Sequence, residues 1–503
     1  MASLKQLANQ TAWYGLSNII GRFINYLLTP LLAGIYASPE FGDISILFAL
    51  AAFLNILFTY GMETSYFRFS QKIEESKVFN NTFGLLLITT LVLSALFYIP
   101  SESLAQWMSL GGKKQYILYV ILIVAVDTLA VVPFSRLRHQ GRPKKFAFIK
   151  LSNILINIGG VVFFLYLCKS DYESNTNSIW ASFYNPSIGI GYVFLSQLGA
   201  SVCTLILLVK EFKGFKLNLD RNLLREIFIY STPLIIVGFG GMINETIDRF
   251  LILHRFSGTE LEARSANGIY SANYKLAVLI VVFIQTFRMG AEPFFFKHAQ
   301  NEKAPEIYAR IMRFFIIACC LCFLGVVLFL DVWKYFMRVN IHPEYAEGLL
   351  IVPILMLAKL FLGIYYNLSI WYKLTDKTTT GALITVGGAL ITIVVNYLFI
   401  PFWGFWACAL ATVACYGFMM TTSYYLGQKY YPIPYQVKNG AFYILIALML
   451  FAIHFLLRQN GLALYYLHGI GIACWLLFLL YVLKKEKKEL SKISVLTPLY
   501  RFF

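Results

Sequence analysis

The chain has 503 residues, of which 59% are hydrophobic and 13% charged, with a formal net charge of +17. A soluble domain carries roughly twice that charged fraction, so the composition excludes an ordinary soluble protein and specifies a polytopic membrane protein. The excess Lys and Arg sits at segment ends and not in one patch. It therefore reads as the charge bias of cytoplasmic loops and argues against nucleic acid as a partner.

The opening stretch, MASLKQLANQTAWYGLSNIIGRFINYLLTPLLAG, lacks a short apolar core followed by a small-residue cleavage site, and reads as a retained first helix. Apolar runs of about twenty residues, enough to cross roughly 30 Å of hydrocarbon, then recur along the chain. They lie near 12–36, 43–67, 81–100, 116–137, 147–168, 188–210, 228–253, 267–290, 311–331, 349–372, 380–401, 403–426, 440–458 and 464–483. The expectation is an all-α fold of about fourteen transmembrane helices.

The loops test that count, because positive charge should alternate from loop to loop when no helix is missed. Basic clusters fall at Arg68, Lys72 and Lys77; at Arg136–Lys145; at Lys210–Arg225; at Lys297–Arg313; at Lys373 and Lys377; and at Lys429 and Lys438. The intervening loops, such as ASPEFGD at 37–43 and PFWGFW at 401–406, are poor or mixed. Both termini are then expected in the cytoplasm. No loop is long enough for a soluble domain. The segment 292–315 reads as an amphipathic elbow along the interface, and the basic tail at 485–503 as resting on anionic headgroups.

All eight cysteines fall inside apolar runs, and neither they nor the six scattered histidines have metal-ligand spacing. No disulfide, metal or other cofactor is expected.

Polar groups at bilayer depth are expensive unless they face protein or water. Several share helix faces at about 100° per residue. In the first span, Thr11, Gly15, Asn18, Arg22, Asn25 and Thr29 form one stripe. In the second, Asn55, Thr59 and Glu63 follow at steps of four. In the seventh, Gly238, Gly241, Asn244, Glu245, Asp248 and Arg249 cover under half the circumference. Tyr270, Tyr274, Gln285 and Arg288 share a face of the eighth, with Lys275 at mid-helix; Asp127 and Lys359 are further deep charges. Internal pairing explains Glu245 and Arg249 equally well, since they stand at i and i+4 in the favoured orientation. Stripes on several helices at once point to a shared water-filled cavity.

An internal repeat fits this pattern. Sliding the chain by 226 residues aligns EFGDIS at 40–45 with ANGIYS at 266–271, and Gly15, Asn18 and Arg22 with Gly241, Asn244 and Asp248. The expected organisation is an N-lobe at 1–226, a C-lobe at 227–428, two further helices at 429–484 and the tail at 485–503, with the lobes pseudo-symmetric around a central cavity.

Three stretches carry a resemblance: SNIIGRFINYLLTPLLAGIYASPEFGDIS (17–45), GMETSYFRF (61–69) and ANYKLAVLIVVFIQTFRMGAEPFFFKHA (272–299). With them, nearly the whole chain resembles the oligosaccharide flippase branch of the multidrug/oligosaccharidyl-lipid/polysaccharide exporter superfamily. The resemblance implies fourteen helices, alternating inward-open and outward-open forms, and no enzymatic activity. It also implies transfer of polyprenyl-pyrophosphate-linked oligosaccharide across a bacterial inner membrane for surface polysaccharide biosynthesis. Arg22, Lys275, Arg288 and Lys359 would then meet the pyrophosphate, with Arg22 pairing with Asp248 in the empty cavity. Asn18, Asn25 and Asn55 would meet sugar. Glu63, Asp127, Asn244, Glu245, Asp248 and Arg249 would serve coupling to H+ or Na+, or gating. The alternative is a cation-coupled multidrug exporter of the same superfamily, which would carry about twelve helices and a carboxylate-rich cavity. A membrane glycosyltransferase or polymerase is disfavoured, because the short loops leave no room for its extracytoplasmic site.

Overall fold

The computed structural model describes residues 20–490 apart from 22, 25, 175–177 and 300. Among these residues it is helical throughout, with no strand. Thirteen helical segments are long and apolar enough to cross a membrane, from Ser38–Phe69 to Leu464–Lys485. Each matches one expected run from 43–67 onward. Of the remaining run, 12–36, residues 12–19, 22 and 25 lie outside the described residues; the described part includes the helix Leu28–Ile35 (α1).

The helices used below are α2 (Ser38–Thr59), α3 (Met62–Phe69), α4 (Glu75–Tyr98), α5 (Lys114–His139), α6 (Pro143–Val162), α7 (Gly191–Leu208), α8 (Arg221–Arg255) and α9 (Glu260–His298). They continue with α10 (Ala304–Val327), α11 (Val352–Leu368), α12 (Thr378–Trp403), α13 (Phe405–Tyr430), α14 (Val437–Gln459) and α15 (Leu464–Lys485). The expected elbow at 292–315 is not a separate helix. Its first part ends α9 and its second part begins α10, joined by a short turn.

Packing divides the chain into two compact units, Met1–Ala272 with Thr385–Cys408, and Asn273–Ile384 with Ala409–Phe503. In the first, α5 packs on α2, α4 and α7, and α7 on α6. Helix α8 also packs on α2. Aromatic side chains fill one end of this unit, where Tyr66, Phe79 and Phe83 are buried with Met62, Leu86 and Ile227. Lipid tails are as apolar as Leu, so such helices gain little from burial alone and associate through close packing and polar contacts. Side chains such as Leu91, Val92 and Ile99 accordingly remain exposed on α4 and at its end.

The second unit is held by packing between α10 and α11, α10 and α14, and α14 and α15. Its charged ends are paired: Arg458 with Asp331 at 2.8 Å and Arg313 with Glu486 at 3.2 Å, while the Tyr443 hydroxyl donates to Glu486 at 2.7 Å.

One crossing inside the first unit bears on the repeat. Helix α2 meets the first part of α9 at Gly42 and Gly268. A methyl group on Gly42 would overlap the Arg264 carbonyl oxygen, and one on Gly268 would overlap the Ser38 carbonyl oxygen. Ser38 and Arg264 are 226 residues apart, as are Gly42 and Gly268. Each glycine thus meets the counterpart of the residue four before it in its own helix, the reciprocity that a two-fold relation produces. Ser38 and Ser265 share a hydrogen bond at 2.7 Å, and Asp43 takes both sides of the Arg264 guanidinium, with Nε to Oδ1 at 2.8 Å.

Candidate functional site

The second span is broken where the sequence suggests one continuous face. Tyr60 at φ 29° and Gly61 at φ 74° lie in the left-handed region, a conformation glycine adopts without strain. The break ends α2 and begins α3. It leaves Asn55 and Thr59 above it and Glu63 below it on the wall of one cavity.

That cavity, about 550 Å³, lies inside the first unit and is mostly polar. Helix α5 contributes Asp127, Phe134 and Arg138, spaced seven and four residues apart along one face. Helix α6 contributes Lys150 and Asn153, and α7 contributes Thr204. Arg138 pairs with Glu63, and its guanidinium lies 4.9 Å from the centre of the Phe67 ring. The Lys150 ammonium sits 4.4 Å from the centre of the Phe134 ring. Asp127 lies in the field of Lys150 and beside the Ser201 hydroxyl. The Asn153 amide donates to Thr204 at 3.0 Å. Two carboxylates and two cations line the space, so its formal charge sums to zero.

A second charged cluster, also in the first unit, is closed. On α8, Arg249 donates to Asp248 Oδ1 at 2.9 Å, to the Glu245 main-chain carbonyl at 2.8 Å and, through Nε, to Ser45 Oγ at 3.2 Å. The Tyr270 hydroxyl donates to the other Asp248 oxygen. Asn244 donates to the Thr385 carbonyl at 3.3 Å and accepts from Thr392 at 3.4 Å. Asn244, Asp248 and Arg249 are all buried. The spacing suggested a Glu245–Arg249 side-chain pair; Arg249 also reaches the adjacent carboxylate and the Glu245 main chain.

In the second unit, Lys359 is fully buried. Its ammonium lies 4.9 Å and 5.0 Å from the ring centres of Tyr274 and Tyr416, and 3.4 Å from the Tyr416 hydroxyl. Arg288 bonds Glu292 at 2.6 Å and stacks on Tyr366 at 4.6 Å, while Lys373 reaches the same carboxylate at 2.7 Å. Lys275 is exposed.

The structure thus brings Asn55, Glu63 and Asp127 to one cavity, and Asn244, Asp248 and Arg249 to another place, with Glu245 contributing a carbonyl there. Arg22, Asn18 and Asn25 lie outside the described residues. Sequence reasoning passed over two cavity cations. Arg138 had been counted among loop charges, and Lys150 stood unremarked near the start of its span. A signal was available, since Lys150, Asn153 and Asn157 share one face of α6 at steps of three and four. Among the described residues, no cluster of His, Cys, Asp and Glu is arranged to hold a metal ion.

A multi-pass helical protein with charged cavities inside its helices has the architecture of a membrane transporter. By fold it is similar to solved structures of that class. It matches the lipid II flippase MurJ in an inward closed conformation with a TM-score of 0.71 at 15% identity, covering 94% of this chain and 99% of that one. It matches an inward-facing multidrug resistance transporter of the MATE family and MOP superfamily with a TM-score of 0.57 at 14% identity, covering 83% and 94%. A MATE transporter in complex with MaD3S gives 0.52 at 13% identity, covering 84% and 95%. No curated protein matches the chain by sequence. The polysaccharide biosynthesis protein family, by contrast, matches residues 7–299, more than half of the chain, and the chain belongs to that family.

Proposed function

We propose that the protein is a flippase that moves a polyprenyl-pyrophosphate-linked oligosaccharide from the cytoplasmic to the periplasmic leaflet of a bacterial inner membrane, by alternating access, for surface polysaccharide biosynthesis. The family, whose business is polysaccharide biosynthesis, and a fold common to flippases and exporters support this reading. The observation that carries it is the polar cavity walled by Asn55, Glu63, Asp127, Arg138, Lys150 and Asn153. A sugar needs amides and hydroxyls, and a pyrophosphate needs cations, to leave water; the cavity offers both within membrane-crossing helices.

In this reading both termini are cytoplasmic, 1–226 and 227–428 act as pseudo-symmetric lobes, and Arg22, Lys275, Arg288 and Lys359 are further cations on the path. Glu63 and Asp127 are the carboxylates suited to coupling, because they line open space. Asp248 is already neutralised by Arg249 and bonded by Tyr270, which suits it to holding the helices together. Arg22→Lys should transport poorly and Arg22→Ala hardly at all.

The experiment is a deletion strain of the source organism, assayed for the leaflet in which its lipid-linked glycan accumulates. Glycan-lipid trapped in the cytoplasmic leaflet, with surface polysaccharide lost, is the expected result. Normal surface glycan with increased drug sensitivity would replace the flippase with a cation-coupled multidrug exporter.

A further inference from the structure

The cavity of the first unit is electrically balanced, and the balance is unequal in kind. Arg138 faces Glu63 in a direct pair and lies over Phe67. Lys150 rests over Phe134, in the fields of Asp127, Glu63 and Arg138. Asp127 has Lys150 and the Ser201 hydroxyl as its neighbours. Glu63, Asp127, Arg138 and Lys150 are the titratable side chains lining the space among the described residues. A neutral cavity does not draw in an anion by its field. It binds one by exchange, when the anion takes a cation from a carboxylate.

Lysine is the cation suited to exchange. Its ammonium is a compact charge with three donors on a flexible stem, while a paired arginine fork is held in one geometry. About 550 Å³ lies within the range of small-molecule sites and admits a diphosphate with part of a sugar. Asn153 and Thr204, already bonded to one another, flank Lys150 with further polar atoms.

We infer that the diphosphate of the lipid substrate binds Lys150 in this cavity, and that Asp127, once the anion offsets the field of Lys150, takes up one proton. The inference rests on the flippase reading and names the cation and the coupling acid within it. Two like charges sharing a small space cannot both stay ionised at low cost. Asp127 is the group that yields, because Glu63 keeps Arg138 and is the more exposed carboxylate. Departure of the anion restores the field of Lys150 at Asp127 and releases the proton. Anion binding and proton binding are therefore linked at this site. The chemistry balances with no bond made or broken except that to the proton.

The test uses the full chain in lipid nanodiscs and farnesyl diphosphate as the probe. Titration calorimetry at neutral pH in two buffers of different ionisation heat gives both affinity and proton count. The expected result is uptake of about one proton per probe bound by the wild type, and uptake near zero for Asp127→Asn. Lys150→Gln should weaken binding by about tenfold or more, while Lys150→Arg keeps binding within a few fold. Farnesol, which lacks the charge, should not reproduce the proton uptake. Wild-type affinity in Lys150→Gln, or an unchanged proton count in Asp127→Asn, would overturn the inference while leaving the flippase intact. Failure of the wild type to bind the diphosphate, with binding of an organic cation instead, would overturn the flippase reading too. Melting temperatures of the variants, matched to wild type, and the retained binding of Lys150→Arg separate a site effect from misfolding.

Discussion

The first unit holds two clusters of opposite charges, each with an arginine paired to a carboxylate, and they differ in their surroundings. The Arg249 and Asp248 side chains are 8% and 6% exposed, and their hydrogen bonds end on Ser45, Tyr270 and the main chain. The Arg138 and Glu63 side chains are 40% and 52% exposed and face a cavity shared with Lys150 and Asp127. A pair sealed from water keeps its partners, because an unpaired ion left behind has no solvent to turn to. A pair at the edge of water can trade partners at small cost. Paired carboxylates and cations therefore lock helices in one place and remain exchangeable in the other.

The largest expected effect breaks the sealed cluster. Arg249→Ala leaves Asp248 buried without that cation and should cost about 3–5 kcal/mol of stability. Thermal unfolding of the purified protein in detergent reads it directly. Arg249→Met combined with Asp248→Leu removes both charges and should recover most of the loss. A single variant as stable as wild type would mean that the two clusters do not differ in kind.

The glycine crossing comes next. Gly42→Val and Gly268→Val each drive a side chain into the opposite carbonyl oxygen. Each should destabilise the protein by about 1–3 kcal/mol, the usual range for overpacking. Because the contact is reciprocal, the two losses should be similar. A large loss at one glycine and none at the other would remove the crossing as support for the 226-residue repeat.

Much of this architecture could be read from the chain alone, because the bilayer demands long apolar helices and leaves few alternatives. The runs from 43–67 to 464–483 all reappear as helices, most of them longer than the apolar run itself. The offset that aligned Gly42 with Gly268 did not say that the two would touch; their contact needed the folded chain. Partners were much harder to read. Asp127 stood out as a deep charge, but the lysine facing it comes from another helix, and helical periodicity says nothing about which faces of different helices meet. Arg249 was legible as a buried cation, while its bonds to Ser45 and to the carboxylate beside it needed the folded chain. Gly61 gave no warning that α2 would end there, since an isolated glycine also occurs inside helices.

A smaller effect sharpens the open side of the comparison. Arg138→Gln removes a half-exposed ion pair, so stability should change by under about 1 kcal/mol. Transport, measured as surface glycan at equal protein level, should nevertheless fall, because Glu63 would then compete for Lys150. Wild-type transport in this variant would show that the Glu63–Arg138 pair is indifferent to the exchange at Lys150.

The smallest effect lies at the start of α8, where an exposed ion pair joins its cap to α4. Asp220 accepts from the main-chain N–H groups of Asn222 and Leu223 at 2.9 Å and 3.3 Å and pairs with Lys77 at 2.7 Å. The Lys77 ammonium, then the Leu223 N–H, holds its carboxyl below the usual aspartate range. A lowered value means that the charged form is favoured in the fold. Its contribution is therefore present above the ordinary aspartate range and disappears as pH falls through the lowered one. Asp220→Asn keeps an oxygen to cap α8 but loses the charge. It should lower the melting temperature slightly at neutral pH, and the gap to wild type should close on acidification below pH about 4. A gap that persists in acid would assign the loss to the cap geometry. Both remain small beside the loss at Arg249, because Asp220 keeps water as an alternative partner and Asp248 does not.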